Sequence, residues 1–391
     1  MKVLIYTEYF FPIQGGVQTI VLELARGLAA WAPDKPGAER IEVTVVTRTL
    51  ERTPEDDALP FRLVRRPTLR ELLRLLSGTD IVHLAGPAML PLALSRALRK
   101  PVVVEHHGYH SICPKGNLLY GPDHCACPGH FMAGRYEKCI KCISEKPRPW
   151  NSFRHVILTF PRRWLCQGAV ANIAVSQHVA HRIMLPNTQT IYHGIDDLGP
   201  VPRNGSGVGN HLIQIGYVGR LVSEKGLPLL LEASKRLEDA GFLFRLILVG
   251  DGPDRSELED LTRRLGLQAR TRFLGELSGT GLESAVRPLQ VVVMPSQCEE
   301  TAGLAAIEQM MRGGVVIAAD IGGLGEVVGD AGLKFTAGDS NALYSCLRRV
   351  LENPSLVGSL GAAGRARAMK VFHRDSMIRN HVSLYRDAVI R

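Results

Sequence analysis

No apolar run in this 391-residue chain reaches the roughly 18 residues that a membrane span needs. Aromatics are scarce at 6% and no DNA- or RNA-reading motif occurs, so nucleic acid is not an expected partner. The first apolar run, IYTEYFFPIQGGVQT (5–19), lacks the G-x-G-x-x-G turn that a dinucleotide needs, which disfavours a NAD-dependent dehydrogenase. MKVLIYTEYFFPIQGG lacks a small-residue cleavage site and reads as a first strand rather than a secretion signal. There is no sequence repeat and no low-complexity tract. Eight cysteines in a chain this long do not make a disulfide scaffold, and the expected compartment is reducing and cytoplasmic.

What is present is a globular composition, 45% hydrophobic and 22% charged, in a chain too long for one ordinary core. The net charge of +9 is uneven. Residues 1–200 hold 24 Lys+Arg against 17 Asp+Glu, and the remainder 23 against 21. A basic first half favours an anionic partner: a phosphorylated substrate or an acidic membrane face.

Short β-branched runs alternate with helical patterns throughout. In the first half they are VLIYT (3–7), EVTVVT (42–47), IVHLAG (81–86), VVVEHH (102–107), ANIAVS (171–176) and TIYHGID (190–196). In the second they are LIQIGYVG (212–219), RLILVGDG (245–252), TRFLGEL (271–277), VVVMPS (291–296) and VVIAAD (315–320). Near-continuous apolar strands between helices indicate parallel sheets covered on both faces. GPVPRNGSGVGN (199–210) reads as a linker. The expected architecture is α/β: two doubly wound Rossmann-like domains, 1–200 and 201–370, facing across a cleft, with a C-terminal helix (371–391) returning to the first.

Chemistry concentrates in SQCEETAGLAAIEQMMRGGVVIAAD (296–320). The strand ending at Ser296 and a helix starting near Gly303 place Glu300 in a ligand-edge loop and Glu308 inside an oily helix. A carboxylate there is costly unless it faces water or awaits a partner. The helix start at Gly303 and Leu304 offers free N–H groups to an anion. Two acids flanking such an end suit a nucleotide sugar, with hydroxyls at each end and negative charge between. GYVGRLVSEKGL (216–227) adds Arg220 and Lys225 to the loop after the second half's first strand. Two cations beside a helix N-terminus are compensated by a bound anion, and would stabilise charge on a departing diphosphate without a metal.

GRLVSEKG, LVGDGP, RFLGEL and the E-x7-E pair, in this order, together with PIQGGVQTIVLELARGLA and EHHGYHSICP, resemble retaining glycosyltransferase family 4, of GT-B fold. The resemblance implies that Arg220 and Lys225 bind the donor diphosphate, Glu308 the ribose hydroxyls and Glu300 the donor sugar. Gly303 and Leu304 then supply amides, and the Gly15–Gly16 loop closes on the donor. His107, favoured over His106, lies by the anomeric carbon. The family often has Asp after this histidine, where Gly108 stands here, so an orienting role is expected rather than that of a base paired to a carboxylate. Ala302 replaces an aromatic and leaves room around the sugar. Transfer is implied to proceed by front-face attack, the leaving diphosphate taking the acceptor's proton, because no acid is placed to act as nucleophile. The expected donor is a UDP- or GDP-sugar and the acceptor a glycan, glycolipid or lipid-linked sugar. A GT-B epimerase and a sugar-nucleotide-binding protein without transferase activity are the alternatives.

No cofactor is expected in catalysis. The cysteine-rich loop 108–147, however, carries Cys113, Cys125, Cys127, Cys139 and Cys142 with His110, His124 and His130. A structural zinc ion on Cys113, Cys127, Cys139 and Cys142, with Cys125 as substitute, is the leading reading. RPWNSFRHVILTFPRRWL (148–165) and RRPTLRELLRLL (65–76) are basic amphipathic stretches. They are expected to pack on their own domain, with an anionic membrane surface, the inner face, as the alternative.

Overall fold

Strands form here where β-branched runs can be buried on both sides. The structure, a computed structural model, describes residues 1–13, 15–31, 40–123, 125–143, 149–201 and 212–390. His124 and most of the 199–210 linker lie outside the described residues. The chain divides into two units: residues 1–122, 127–196 and 372–391 form the first, residues 123–126 and 197–371 the second.

The first half supplies strands β1 (Lys2–Thr7), β2 (Glu42–Thr47), β3 (Arg62–Arg65), β4 (Ile81–Ala85), β5 (Val102–His106), β6 (Leu119–Tyr120), β7 (Cys125–Ala126), β8 (Ala171–Ala174) and β9 (Thr188–Thr190). Its helices are α1 (Gly16–Ala29), α2 (Leu69–Ser77), α3 (Met89–Ala97), α4 (Tyr136–Ile143), α5 (Pro149–Gln167) and α6 (Gln177–Ile183). Seven strands form one sheet in the order β3-β2-β1-β4-β5-β8-β9, with every pair parallel. Only Lys2 of β1 is exposed, which is why that strand reads as an unbroken apolar run.

The expected strand at 190–196 is corrected. Pairing covers Thr188–Thr190, and the HGID stretch beyond it is loop. Ile195, its buried apolar residue, makes an isolated parallel bridge with His373 instead of joining the sheet. Two edge strands escaped the pattern, because RLVR and LKF are too short and too polar to register.

The second half supplies β10 (Ile213–Val218), β11 (Phe244–Val249), β12 (Thr271–Gly275), β13 (Val291–Met294), β14 (Val315–Ala319) and β15 (Leu333–Phe335). Its helices are α7 (Leu227–Asp239), α8 (Arg255–Arg264), α9 (Gly279–Val286), α10 (Leu304–Met311), α11 (Gly322–Val328), α12 (Ser340–Glu352) and α13 (Ser355–Val371). Here the order is β12-β11-β10-β13-β14-β15, again all parallel.

A last helix, α14 (Arg374–Ile390), belongs to the first unit. Backbone bonds Ile195 N–H to Phe372 O (3.0 Å) and Arg374 N–H to Ile195 O (2.8 Å) seat its start. Gly194 makes the approach possible, since a Cβ there would lie 2.8 Å from the His373 carbonyl oxygen. Arg374 then pairs with Glu23 of α1 (3.2 Å) and with Asp196 (2.5 Å).

Candidate active site

Chemistry gathers in each unit at the carboxyl ends of the strands, the edge where open α/β sheets bind ligands. A concavity lined by Met1, Lys2, Glu42, Arg62 and Asp80 lies at the opposite, amino-end edge and holds none of the expected residues.

In the second unit the loop after β10 is drawn against the loop after β13. Gly226 adopts φ 66°, and a Cβ there would lie 2.0 Å from the Pro295 carbonyl oxygen. Gln297 N–H donates to Glu224 O at 2.8 Å. This zipper brings Lys225 onto Glu300, whose Oε1 also accepts from Ser296 Oγ at 2.6 Å. Burial would raise the Glu300 carboxyl, but the Lys225 charge and hydrogen bond hold it below its usual value. Arg220 is 74% exposed at its side chain and stands 3.6 Å from Glu224. It is thus free to turn toward an anion at little cost.

Gly303, at φ 78°, is the N-cap of α10, so Gly303 and Leu304 open the helix where expected. Glu308 sits one turn further in, half-buried, and burial raises its carboxyl, Arg312 opposing and Glu283 adding to the rise. Arg312 pairs with Glu283 at 2.5 Å and not with the Glu308 carboxylate. The question posed by an acid in an oily helix therefore has a structural answer: Glu308 keeps only part of its surface in water and its carboxylate forms no ion pair among the described residues.

In the first unit His106 and His107 part company. His106 is sealed in the sheet against Asn172 Oδ1 (2.9 Å), and burial lowers it to about 4. His107, just past β5, places Nδ1 3.1 Å from His193 Nε2 and Nε2 3.5 Å from Glu105 Oε2. A carboxylate partner for His107 is present after all, supplied two residues upstream rather than by the residue that follows it. Glu105 also meets His83 Nε2 (3.0 Å) and His381 Nε2 (3.8 Å), and Tyr385 Oη bonds His83 Nδ1 (2.8 Å). Gly15 and Gly16 open α1 beyond β1, Gly15 O accepting from Thr19 N–H at 3.0 Å.

Sequence reasoning missed Glu105, His193, His83, His381 and Tyr385. The available signal was a polar EHH at the end of the apolar run VVV.

Among the described residues, three or more metal-ligand atoms lie within 4.8 Å of one another at two places only, both built on Glu105. The His83–Glu105 separation there is that of a hydrogen bond, with no gap for a cation between. The cysteine sulfurs do not form a third such place. Cys113, Cys127, Cys139 and Cys142 are all buried and Cys125 is exposed. Gly116 N–H points at Cys113 Sγ (3.3 Å) and Gly121 N–H at Cys142 Sγ (3.4 Å). Burial, with the neighbouring Cys113, Cys127 and Cys142, pushes the Cys139 thiol up to about 12.

Helix α5 packs on its own unit as expected, against α3 and α4, but it also leaves an aromatic stripe outside. It buries Ser152, Val156, Thr159, Leu165 and Cys166 while exposing Trp150 (74%), Phe153, Ile157, Phe160 and Trp164 (62%). These recur at steps of three and four, one continuous helical stripe. α2 does bury its apolar side, at Leu72 and Leu76.

Comparison with known proteins gives these features a family. The description "Glycosyltransferase Family 4" matches residues 14–197 and "Glycosyl transferases group 1" matches residues 203–367. The chain is 30% identical over 349 residues to the GDP-mannose-dependent alpha-mannosyltransferase of Mycolicibacterium smegmatis, covering 84% of this chain and 82% of that one. It is 37% identical to the 2-deoxystreptamine glucosyltransferase of Streptomyces kanamyceticus, a match spanning 39% of each. The Anabaena protein HepE, solved with UDP and glucose, superposes with a TM-score of 0.72 at 19% identity, covering 99% of this chain and 100% of that one. The chain belongs to glycosyltransferase family 4 and is a glycosyltransferase of the two-domain GT-B fold.

Proposed function

We propose that the enzyme moves a sugar from a UDP- or GDP-sugar to a hydroxyl of a glycan, glycolipid or lipid-linked sugar, with retention of anomeric configuration. The observation that carries this reading is the acid pair about the start of α10: Glu300 held by Lys225 and Ser296 in the loop before it, and Glu308 without a cation inside it. In this reading Glu308 accepts the ribose hydroxyls and Glu300 those of the transferred sugar. The amides of Gly303 and Leu304 meet the phosphates, and the Gly15–Gly16 loop covers the donor. Arg220 and Lys225 stabilise the diphosphate as the bond from the anomeric carbon to its oxygen breaks. The acceptor oxygen bonds to that carbon from the same face, and its proton passes to the departing diphosphate. HepE in complex with UDP, and a relative whose name specifies GDP-mannose, support a nucleotide-sugar donor. The test is nuclear magnetic resonance of the product linkage after incubation with UDP- and GDP-sugars and a sugar acceptor. A product of inverted configuration overturns retention. Conversion of the donor without acceptor makes the enzyme an epimerase, and donor binding without turnover makes it a binding protein.

We also propose that α5 rests on an anionic membrane surface, which would present a lipid-linked acceptor. The support is the exposed aromatic stripe with a tryptophan near each end, and a surplus of seven positive charges over residues 1–200. No helix among the described residues is long and apolar enough to cross a membrane. A third proposal is a structural zinc ion on Cys113, Cys127, Cys139 and Cys142. The amides directed at two of these sulfurs are the kind of outer contact that steadies metal-bound thiolates. No step of transfer is assigned to it.

A further inference from the structure

Glu105 needs a reason to exist. It is 1% exposed in an interior strand of a parallel sheet, where an apolar side chain would serve packing better. Its neighbours are all proton-bearing groups. Alternation along β5 sends Val102, Val104 and His106 to one face and Val103 and Glu105 to the other. On that face Glu105 meets His83 from β4, His107 from beyond its own strand, and His381 from α14. Tyr385 of α14 stands behind His83, and His193 behind His107. Among the described residues no lysine or arginine pairs with it.

One assignment of protons serves the His83 and His107 branches, while His381 donates Nδ1–H to the Met377 carbonyl oxygen at 2.9 Å. Tyr385 O–H donates to His83 Nδ1, so His83 Nε2–H donates to Glu105. His193 Nε2–H donates to His107 Nδ1, so His107 turns Nε2–H toward Glu105 at 3.5 Å, an ion-pair distance rather than that of a formed hydrogen bond. Both branches converge on the carboxylate. His193 Nδ1, buried and without a hydrogen-bond partner among the described residues, is left as an acceptor at the end of the second branch.

We propose that Glu105 is a positioning residue: it fixes the tautomer and orientation of His107 and, through it, of His193, and Tyr385 of α14 steadies the carboxylate through His83. Glu105 does not itself meet the sugar, being sealed beneath the rings. Burial lowers His107, and the Glu105 charge opposes that fall. Removing the charge therefore moves His107 further down. The inference depends on the transferase reading only for its kinetic arm.

The experiment uses the full chain labelled with 15N-histidine, the His107 signals being assigned by their loss in His107→Gln. In the wild type, neutral His107 must carry its proton on Nε2, which the nitrogen shifts report. A proton on Nδ1 overturns the proposal whether or not any variant folds. In Glu105→Gln the His107 titration midpoint falls by about one unit or more, and an unchanged midpoint in the folded variant overturns it. In the transfer assay Glu105→Gln lowers kcat about tenfold or more with little change in donor KM, part of the range that proton-handling groups contribute, and Glu105→Asp recovers most of it. Full turnover in Glu105→Gln despite a shifted midpoint removes the role in catalysis. If no donor is turned over by the wild type while the nitrogen data hold, the transferase reading fails and the placement of His107 stands.

Discussion

At the level of single residues, Lys225 shows how one side chain serves both fold and chemistry. Lys225→Ala strips the largely buried Glu300 of its cation, which costs about 2 kcal/mol or more of stability. It also lowers kcat by about a hundredfold, the loss seen when a preorganised charge on a leaving group is removed. The double variant with Glu300→Ala recovers much of the stability but none of the turnover, so thermal melts and kinetics together separate the two roles. A parallel loss in kcat/KM and nucleotide binding would instead show uniform binding. Glu308 gives the opposite trade. Because the fold raises its carboxyl, its contribution is fullest in acid and is lost as pH rises through the folded value. Glu308→Gln therefore melts higher than wild type at neutral pH, the gap closes below about pH 4, and donor binding weakens. A wild type more stable than Glu308→Gln at neutral pH would contradict the burial argument. Glu308 was legible in the sequence, since a glutamate in an apolar helix is conspicuous, and Glu300 through its place in the loop before that helix. Glu105 was not, because each of its partners, taken singly, looks like a histidine satisfied by packing, and His83 and Tyr385 lie 302 positions apart.

At the scale of elements, parallel strands were readable because burial on both faces leaves an unbroken apolar run, as in VVVEH and VVIAA. Edges were not, since RLVR and LKF gain their pairing from a neighbour and carry little signal of their own. Helix α5 was legible as a helix packed on its own unit, but the stretch is apolar on more than one side and periodicity did not show that the aromatics stay outside. Replacing Trp150, Phe153 and Ile157 with glutamine, with Trp164 kept because Arg96 lies over its ring, should lower the melting temperature only slightly, since each replaced side chain is about half exposed or more. It should abolish co-flotation with liposomes containing phosphatidylglycerol. Wild type that stays at the bottom of the gradient with anionic vesicles ends the membrane proposal, and equal flotation with neutral vesicles ends its electrostatic part. The cysteine segment is tested by elemental analysis of protein prepared without chelator. About one zinc per chain is expected, falling with Cys139→Ser, and less than about half an equivalent removes the proposal.

For the molecule as a whole, the basic first half and the acid pair of the second were each visible in composition and motif, whereas the identity of the donor base was not. Backbone groups, which every sequence supplies alike, carry no letter code. Ligand linkage answers what sequence does not: the matching nucleotide sugar at about a hundred times its Kd should add about 2.7 kcal/mol, and non-matching ones far less. Equal melting shifts with UDP-, GDP- and ADP-sugars would mean that the base is not read. The seat of α14 has a consequence for biosynthesis. His381 and Tyr385 complete a centre begun by His83 and Glu105, so on the ribosome the first unit waits, unfinished, while the entire second unit is translated. During that interval a carboxylate lies in a finished sheet that still lacks its covering helix, which makes the nascent first unit a client for chaperones, and makes a premature stop codon after Val371 far more damaging than the loss of one surface helix would suggest.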